Sequence, residues 1–267
     1  MKKANMLADQ TRLSRKWQHI FLLIIVCCFN WIAIEMVQFD FYQSLLSIPT
    51  AGLWMIENLW ITAETWREFP DIMLKLVETI LMSVAATTIA AFISFFLGIA
   101  GSTTTRRNGL MAGLSRGIAS VARNIPVVAW ALILLLSFGQ NSLTGFLALF
   151  VGTVGFLTRA FMESIDEVGL KSFEALTATG ATYFQVIFKA VIPQALPQML
   201  SWVLFMIETN IRSATLVGIL TGTGIGYTFD LYYKTLNYEA VALVTLLIIL
   251  TVIVIELTSN RIRKVIL

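Results

Sequence analysis

Two opposite charges, Glu208 and Arg212, stand inside a long apolar stretch of this sequence. Residues four apart lie on one face of a helix, so the carboxylate and the guanidinium can form an ion pair. Ionisable side chains within a membrane span are costly and are therefore paired or functional. Two interpretations stay open: a structural ion pair that fixes one helix in its bundle, or part of a polar path in which an arginine tolerates an anion.

Further polar residues suggest the second interpretation. Arg123 stands in another apolar region without an acidic neighbour in the sequence, and hydroxyl and amide side chains surround Arg212. Guanidinium groups match the geometry of oxyanions, which is consistent with an anionic solute. We therefore predict a translocation path lined by Arg123, Glu208, Asn210, Arg212, Ser213 and Thr215.

Residue types needed for catalysis are scarce. His19 is the single histidine, and Cys27 and Cys28 are adjacent in an apolar run, so neither a metal-ligand spacing nor a serine–histidine arrangement exists. The sequence also has no G-x-x-x-x-G-K-[ST] loop for nucleotide phosphates. We expect no catalytic residue, no metal site and no cofactor in this chain, no nucleic-acid partner, and a role other than that of an enzyme.

The composition indicates a membrane protein. Of 267 residues, 57% are hydrophobic and only 13% are charged, and the mean hydropathy is +0.80. A span needs about 20 predominantly apolar residues. We predict an all-α membrane protein of about six transmembrane helices, near residues 18–37, 74–100, 112–138, 143–162, 196–220 and 239–259. The turn formers from Gly139 to Ser142 separate the third span from the fourth.

The positive residues predict the orientation. Most lysines and arginines outside the spans fall on the side of the N-terminus, whereas Arg67, Lys75 and Lys234 fall on the other side. Cytoplasmic loops are enriched in lysine and arginine, so we expect both termini to be cytoplasmic. Tryptophans among glutamates between residues 49 and 70 are typical of a segment at the outer headgroup layer.

The longest predicted cytoplasmic connection, residues 163–193, is too polar to span a membrane. Its apolar residues repeat at helical spacing, and Gly180 is a helix terminator. We expect two short amphipathic helices joined at Gly180, lying along the membrane surface with one face free. The predicted organisation is residues 1–72 as an N-terminal segment with the first helix, 73–260 as the core, and 261–267 as a basic cytoplasmic tail.

The residues from Glu174 to Pro193 resemble the E-A-A, three residues, G, then I-x-L-P loop of ABC-importer permeases. Leu176 replaces the second alanine and Ile192 replaces the leucine of that motif. The resemblance implies a type I ABC-importer-like bundle with a coupling loop that docks on a dimer of ATP-binding subunits, which would hold ATP and Mg. The coupling residues that it implies are Glu174, Ala175, Leu176, Gly180, Ala181, Ile192 and Pro193.

A second resemblance lies in the segment from Glu208 to Gly226, which is similar to the fifth-helix signature of phosphonate-importer permeases, as is Arg123-Asn124-Ile125-Pro126 with Trp130. It implies a multi-pass cell-membrane permease subunit for phosphonate or a small oxyanion such as phosphite. The implied partners are an extracellular or periplasmic solute-binding protein and a second permease copy, within membrane lipid. The alternative is a stand-alone secondary transporter or channel for a small anion.

Overall fold

The computed structural model describes the backbone of residues 2–168 and 170–266 and the side chains of residues 16–167 and 173–266. Within these ranges every regular element is a helix and no strand occurs, which confirms the predicted all-α class. Contacts between residues divide the chain into two units, Met1–Asn58 and Leu59–Leu267.

The first unit consists of helices α1 (Lys2–Val37) and α2 (Phe41–Asn58). Residues 16–37 of α1 are apolar enough for a span, and the side chains from 16 to 50 are exposed within the chain. The sequence analysis did not predict α2, which passes through Pro49 without ending. A proline removes one helical hydrogen bond, yet the helix continues on both sides of Pro49.

The second unit contains nine helices among the described residues, with a short 3₁₀ turn before the first. Two short helices, at residues 170–178 and 183–186, are followed by a π-helical turn and connect the long helices that precede and follow them. The helices are α3 (Phe69–Gly101), α4 (Gly109–Asn124), α5 (Val127–Phe138), α6 (Ser142–Val168), α7 (Leu170–Ala178), α8 (Tyr183–Val186), α9 (Ile192–Thr221), α10 (Gly224–Lys234) and α11 (Tyr238–Ile266).

Helix α6 lies at the centre of this unit and packs against α3, α4, α5 and α9. One hydrophobic cluster joins Leu157 and Ile165 of α6 to Val191 and Met199 near the start of α9. Two further clusters continue the core towards the other ends of the helices, where α10 and α11 also pack. Because α6 contacts so many helices, its polar side chains can connect elements that are distant in sequence.

Helices α4 and α5 differ from the prediction, which gave one helix near residues 112–138. The two are bent by 94° at Ile125-Pro126. Proline has no N–H and forces the residue before it into an extended conformation, which Ile125 adopts with φ −93° and ψ 123°. The Ala122 carbonyl, which would accept from residue 126 in a continuous helix, instead accepts from the Trp130 indole N–H at 3.2 Å.

Five helices in the described part of the chain are long and apolar enough to cross a membrane, and the bent pair α4–α5 makes a sixth if it counts as one span. This agrees with the predicted number of about six. The expected break after the third span is also present: α5 ends at Phe138, Gly139 follows with φ +73°, and α6 begins at Ser142.

Candidate functional site

The connection between α6 and α9 forms the predicted pair of short helices. Helix α7 ends at Ala178, Gly180 follows in the left-handed region with φ +85°, and α8 begins at Tyr183. The left-handed conformation favours glycine, which explains the residue type at this junction. Thr182 caps α8, since its backbone N–H donates to the Gln185 side chain at 2.8 Å while the Thr182 side chain accepts from the backbone N–H of Gln185.

The predicted coupling residues divide between two faces of this connection. Leu176 and Ala181 are half-buried and pack against the hydrophobic cluster around Leu157 and Ile165. Ile192, the first residue of α9, is also half-buried. The other members, Glu174, Ala175, Gly180 and Pro193, are exposed. The connection is therefore anchored on one side and free on the other.

Two residues that the sequence analysis did not single out fix this connection to the turn after α3. The Tyr183 hydroxyl donates to the carbonyl of Thr105 at 2.6 Å. Asp166, near the end of α6, accepts from the Ser102 hydroxyl at 2.6 Å and from the backbone N–H of Thr104 at 3.0 Å. Movement of the α7–α8 connection would therefore pull on the turn that leads into α4.

Asn210 belongs to a buried polar junction and is only 1% exposed. Its amide nitrogen donates to the Thr87 hydroxyl of α3 at 2.8 Å and to the Thr153 hydroxyl of α6 at 2.7 Å. The Ser83 hydroxyl of α3 donates to the backbone carbonyl oxygen of Asn210 at 3.3 Å. Asn210 therefore holds three helices together, so its side chain is engaged between helices.

Glu208 and Arg212 form the ion pair that their spacing predicted, with 2.8 Å between Glu208 Oε1 and Arg212 Nη2. The structure adds a second guanidinium, because Arg263 Nη2 of α11 lies 3.1 Å from Glu208 Oε2. The glutamate side chain is 9% exposed, whereas that of Arg212 is 48% exposed. One carboxylate thus meets two arginines, which leaves one positive charge in excess. We call these three residues the Glu208 cluster.

The remaining predicted path residues lie apart from this cluster or at its edge. Ser213 and Thr215 are half-buried on α9, and the Thr215 hydroxyl donates weakly to the Ile211 carbonyl at 3.4 Å. Arg123 is exposed at the end of α4, where it lines a cavity together with Arg116 and Arg159. Arg212 is not among the residues that line this cavity.

Glycines allow the end of α9 to pack closely on α10. A Cβ atom on Gly226 would collide with the Thr215 carbonyl, and one on Gly218 would lie 2.5 Å from the Thr223 carbonyl. In α10, burial raises the pKa of the Tyr232 hydroxyl, and the neighbouring Glu68 carboxylate, which accepts its hydrogen bond, raises it further. Tyr232 therefore stays a neutral donor and connects α10 to the turn before α3.

Helices long and apolar enough to cross a membrane, two of them joined by an ion pair, define an integral membrane protein. A family model described as "Binding-protein-dependent transport system inner membrane component" matches residues 93–266. The chain belongs to this family. In the described part of the chain, no three His, Cys, Asp or Glu side chains lie close enough together to bind a metal ion.

The chain is similar to the phosphite transport system permease protein PtxC of Stutzerimonas stutzeri, with 31% identity over 71% of this chain and 69% of that protein. It is 26% identical to the phosphate-import permease protein PhnE of Mycolicibacterium smegmatis, over 73% of this chain and 36% of that protein. A solved amino acid ABC transporter shares the fold, with a TM-score of 0.65 and 16% identity over 75% of this chain and 96% of that one.

Family membership confirms several predictions. The protein is a multi-pass plasma-membrane permease subunit of a binding-protein-dependent ABC importer and is not an enzyme; ATP hydrolysis belongs to a separate subunit. Membership also implies an ATPase partner, a substrate-binding protein and pairing of permease subunits. Sequence reasoning identified the family from its coupling motif but missed Asp166, Tyr183 and Arg263, whose partners are distant in sequence.

Proposed function

We propose that this permease imports phosphite or a phosphonate, driven by ATP hydrolysis in two partner subunits. The observation that carries the proposal is the exposed face of the α7–α8 connection, formed by Glu174, Ala175 and Gly180 and anchored through Tyr183 to the turn that leads into α4. The curated relatives named for phosphite and phosphate import support a phosphorus oxyanion as the solute.

In the proposed complex, two copies of this chain enclose the path, and the core of residues 73–260 follows an N-terminal segment of residues 1–72. The connection of residues 163–193 and the basic tail of residues 261–267 face the cytoplasm. The excess of arginine and lysine on that side supports this orientation. The ATPase subunits bind ATP and Mg and dock on the exposed coupling residues Glu174, Ala175, Gly180 and Pro193, while Leu176 and Ala181 hold the connection on the hydrophobic cluster and Ile192 begins α9. A solute-binding protein delivers the solute from the opposite face.

The Glu208 cluster combines the two interpretations of its charges. Arg263 and Glu208 are largely buried and join α11 to α9, which suits a structural role. The Arg212 side chain is half exposed, and the second arginine keeps the carboxylate neutralised, so Arg212 can attract an anion. We propose that Arg212 lines the path with Ser213, Thr215 and Arg123, while Glu208 and Asn210 hold the lining helices in position.

Co-purification tests the proposed docking. The tagged chain is extracted from its native host in detergent, and the bound proteins are identified for wild type, Glu174→Arg and Gly180→Trp. We expect a Walker-motif ATPase with wild type and its loss with both variants, because the first reverses a charge on the free face and the second adds bulk at a left-handed residue.

Glu57→Arg, at another exposed glutamate, in α2, is the matched control and should retain the ATPase. Size-exclusion chromatography checks that each variant is folded. Retention of the ATPase by a folded Glu174→Arg variant would show that the partner docks elsewhere.

A further inference from the structure

A second group of charges surrounds a cavity between α4 and α6. Arg116 and Arg123 are seven residues apart and so share one face of α4, and Arg159 and Glu163 approach from α6. The cavity has a volume of about 220 Å³, and its other lining residues are Ala119, Ser120, Asn124 and Met162. We call it the basic cavity.

The charges of the basic cavity are not balanced by the protein. Glu163 is its one acidic lining residue and pairs with Arg159, with 2.6 Å between Oε1 and Nε. The Arg116 Nε–H donates to the Gly101 carbonyl at 2.8 Å, which is neutral. Within the described part of the chain, neither Arg116 nor Arg123 has a carboxylate within ion-pair distance. Three guanidinium groups thus face one carboxylate, so the cavity carries two positive charges in excess.

The walls of the cavity are held in place by contacts that do not involve these charges. Gly155 of α6 lies against the backbone of Arg123, where a Cβ atom would stand 2.5 Å from the Arg123 nitrogen. The Trp130 indole fixes the Ala122 carbonyl beside it. The backbone at the end of α4, which carries Arg123, is therefore fixed by packing that is independent of the charges.

The cavity lies on the same side of the unit as the α7–α8 connection. Arg116 bonds to Gly101, the next residue is Ser102, and Ser102 bonds to Asp166 near the end of α6. In the proposed orientation this is the cytoplasmic side. A ligand in the basic cavity would therefore lie at the cytoplasmic side of the unit.

We propose that the basic cavity binds a tetrahedral phosphorus oxyanion at the cytoplasmic side of the permease, with Arg116, Arg123 and Arg159 as its ligands. Guanidinium groups bind such oxyanions through paired, charge-assisted hydrogen bonds, and an anion of two charges would neutralise the excess. The inference rests on the proposed function for the identity of the ion. The same chemistry is present in a free phosphite ion and in the headgroup of an anionic phospholipid.

Binding of inorganic phosphite is measured by ³¹P NMR titration of the full-length chain in phosphatidylcholine nanodiscs, without ATP or the ATPase. We expect saturable binding that Arg123→Gln and Arg159→Gln each weaken about tenfold or more, since each removes a charge-assisted hydrogen bond. Glu163→Gln should raise the affinity for phosphite, because it removes the competing carboxylate. Arg106→Gln, at an exposed arginine outside the cavity lining, is the control and should bind as wild type does.

The two sources of the oxyanion are separated by native mass spectrometry of the same variants with phosphatidylglycerol. Phosphite binding that depends on Arg123 assigns the free ion. Phosphatidylglycerol binding that is lost in Arg123→Gln, without phosphite binding, assigns the lipid headgroup. If the folded protein binds neither ligand in a way that depends on Arg123 and Arg159, the proposal is overturned. The co-purification experiment is independent of this result, so the site can fail while the ATPase docking stands.

Discussion

The Glu208 cluster and the basic cavity contain the same residue types but balance their charges differently. In the Glu208 cluster a carboxylate that is 9% exposed takes two guanidinium groups. In the basic cavity the Glu163 carboxylate is 60% exposed and pairs with one arginine of three. A buried charge must be paired within the protein, whereas a half-exposed arginine is solvated and stays available to a ligand. Burial therefore separates charges that join helices from charges that bind.

A Glu→Gln substitution in each region gives the largest expected difference, which is a difference in stability. Glu208→Gln leaves Arg263 and Arg212 without an anion in the bundle, and breaking a buried ion pair costs about 3–5 kcal/mol. Glu163→Gln breaks an exposed pair, which contributes about 1 kcal/mol or less. Thermal unfolding in detergent, followed by size-exclusion chromatography, should show a large loss of stability for the first variant only. Equal losses would contradict the contrast between the regions.

Separate substitutions of the two arginines distinguish the structural role of the Glu208 cluster from its proposed role in transport. Arg263→Ala should lower the free energy of unfolding by about 2 kcal/mol, because it removes a charge-assisted hydrogen bond between α11 and α9 whose partners are largely buried. Arg212→Ala leaves that pair intact and should lower stability less.

Uptake by the assembled transporter, at equal expression, tests the other role. We expect Arg212→Ala to reduce uptake about tenfold or more because Arg212 is the more exposed arginine of the cluster. Wild-type uptake by Arg212→Ala would make the whole cluster structural.

The smallest effect is expected at Trp130, which fixes one wall of the basic cavity. Trp130→Phe keeps an aromatic ring but leaves the Ala122 carbonyl without its donor, at a cost of about 1 kcal/mol. Phosphite affinity should fall because Arg123 follows Ala122 in the chain, while the Glu208 cluster is unaffected. Unchanged affinity in the NMR titration would show that the indole hydrogen bond does not position Arg123.

The sequence predicted the features that depend on composition and local pattern. The hydropathy indicated about six apolar helices, Gly139–Ser142 marked a turn, and the residues around Gly180 marked two short helices. The coupling motif identified the family, which the family match confirms. The Glu208–Arg212 pair followed from helical spacing alone.

Other features depend on contacts between distant residues. Arg263 meets Glu208 from 55 positions away, and Tyr183 meets Thr105 from 78 positions away, so no local pattern could indicate either contact. The bend between α4 and α5 is different, because Pro126 was visible in the sequence. The sequence prediction gave more weight to the uninterrupted apolar run than to the missing N–H of the proline. The break is stabilised by the Trp130 N–H, which comes from the next helix.

ATP-driven import of a phosphorus oxyanion can be measured directly as transport in proteoliposomes. The permease is reconstituted with its ATPase, the solute-binding protein is added on one face with labelled phosphite, and ATP is supplied on the other. We expect accumulation that requires ATP and the binding protein and is lost with Glu174→Arg. Accumulation that proceeds without ATP would contradict this expectation and identify a stand-alone transporter.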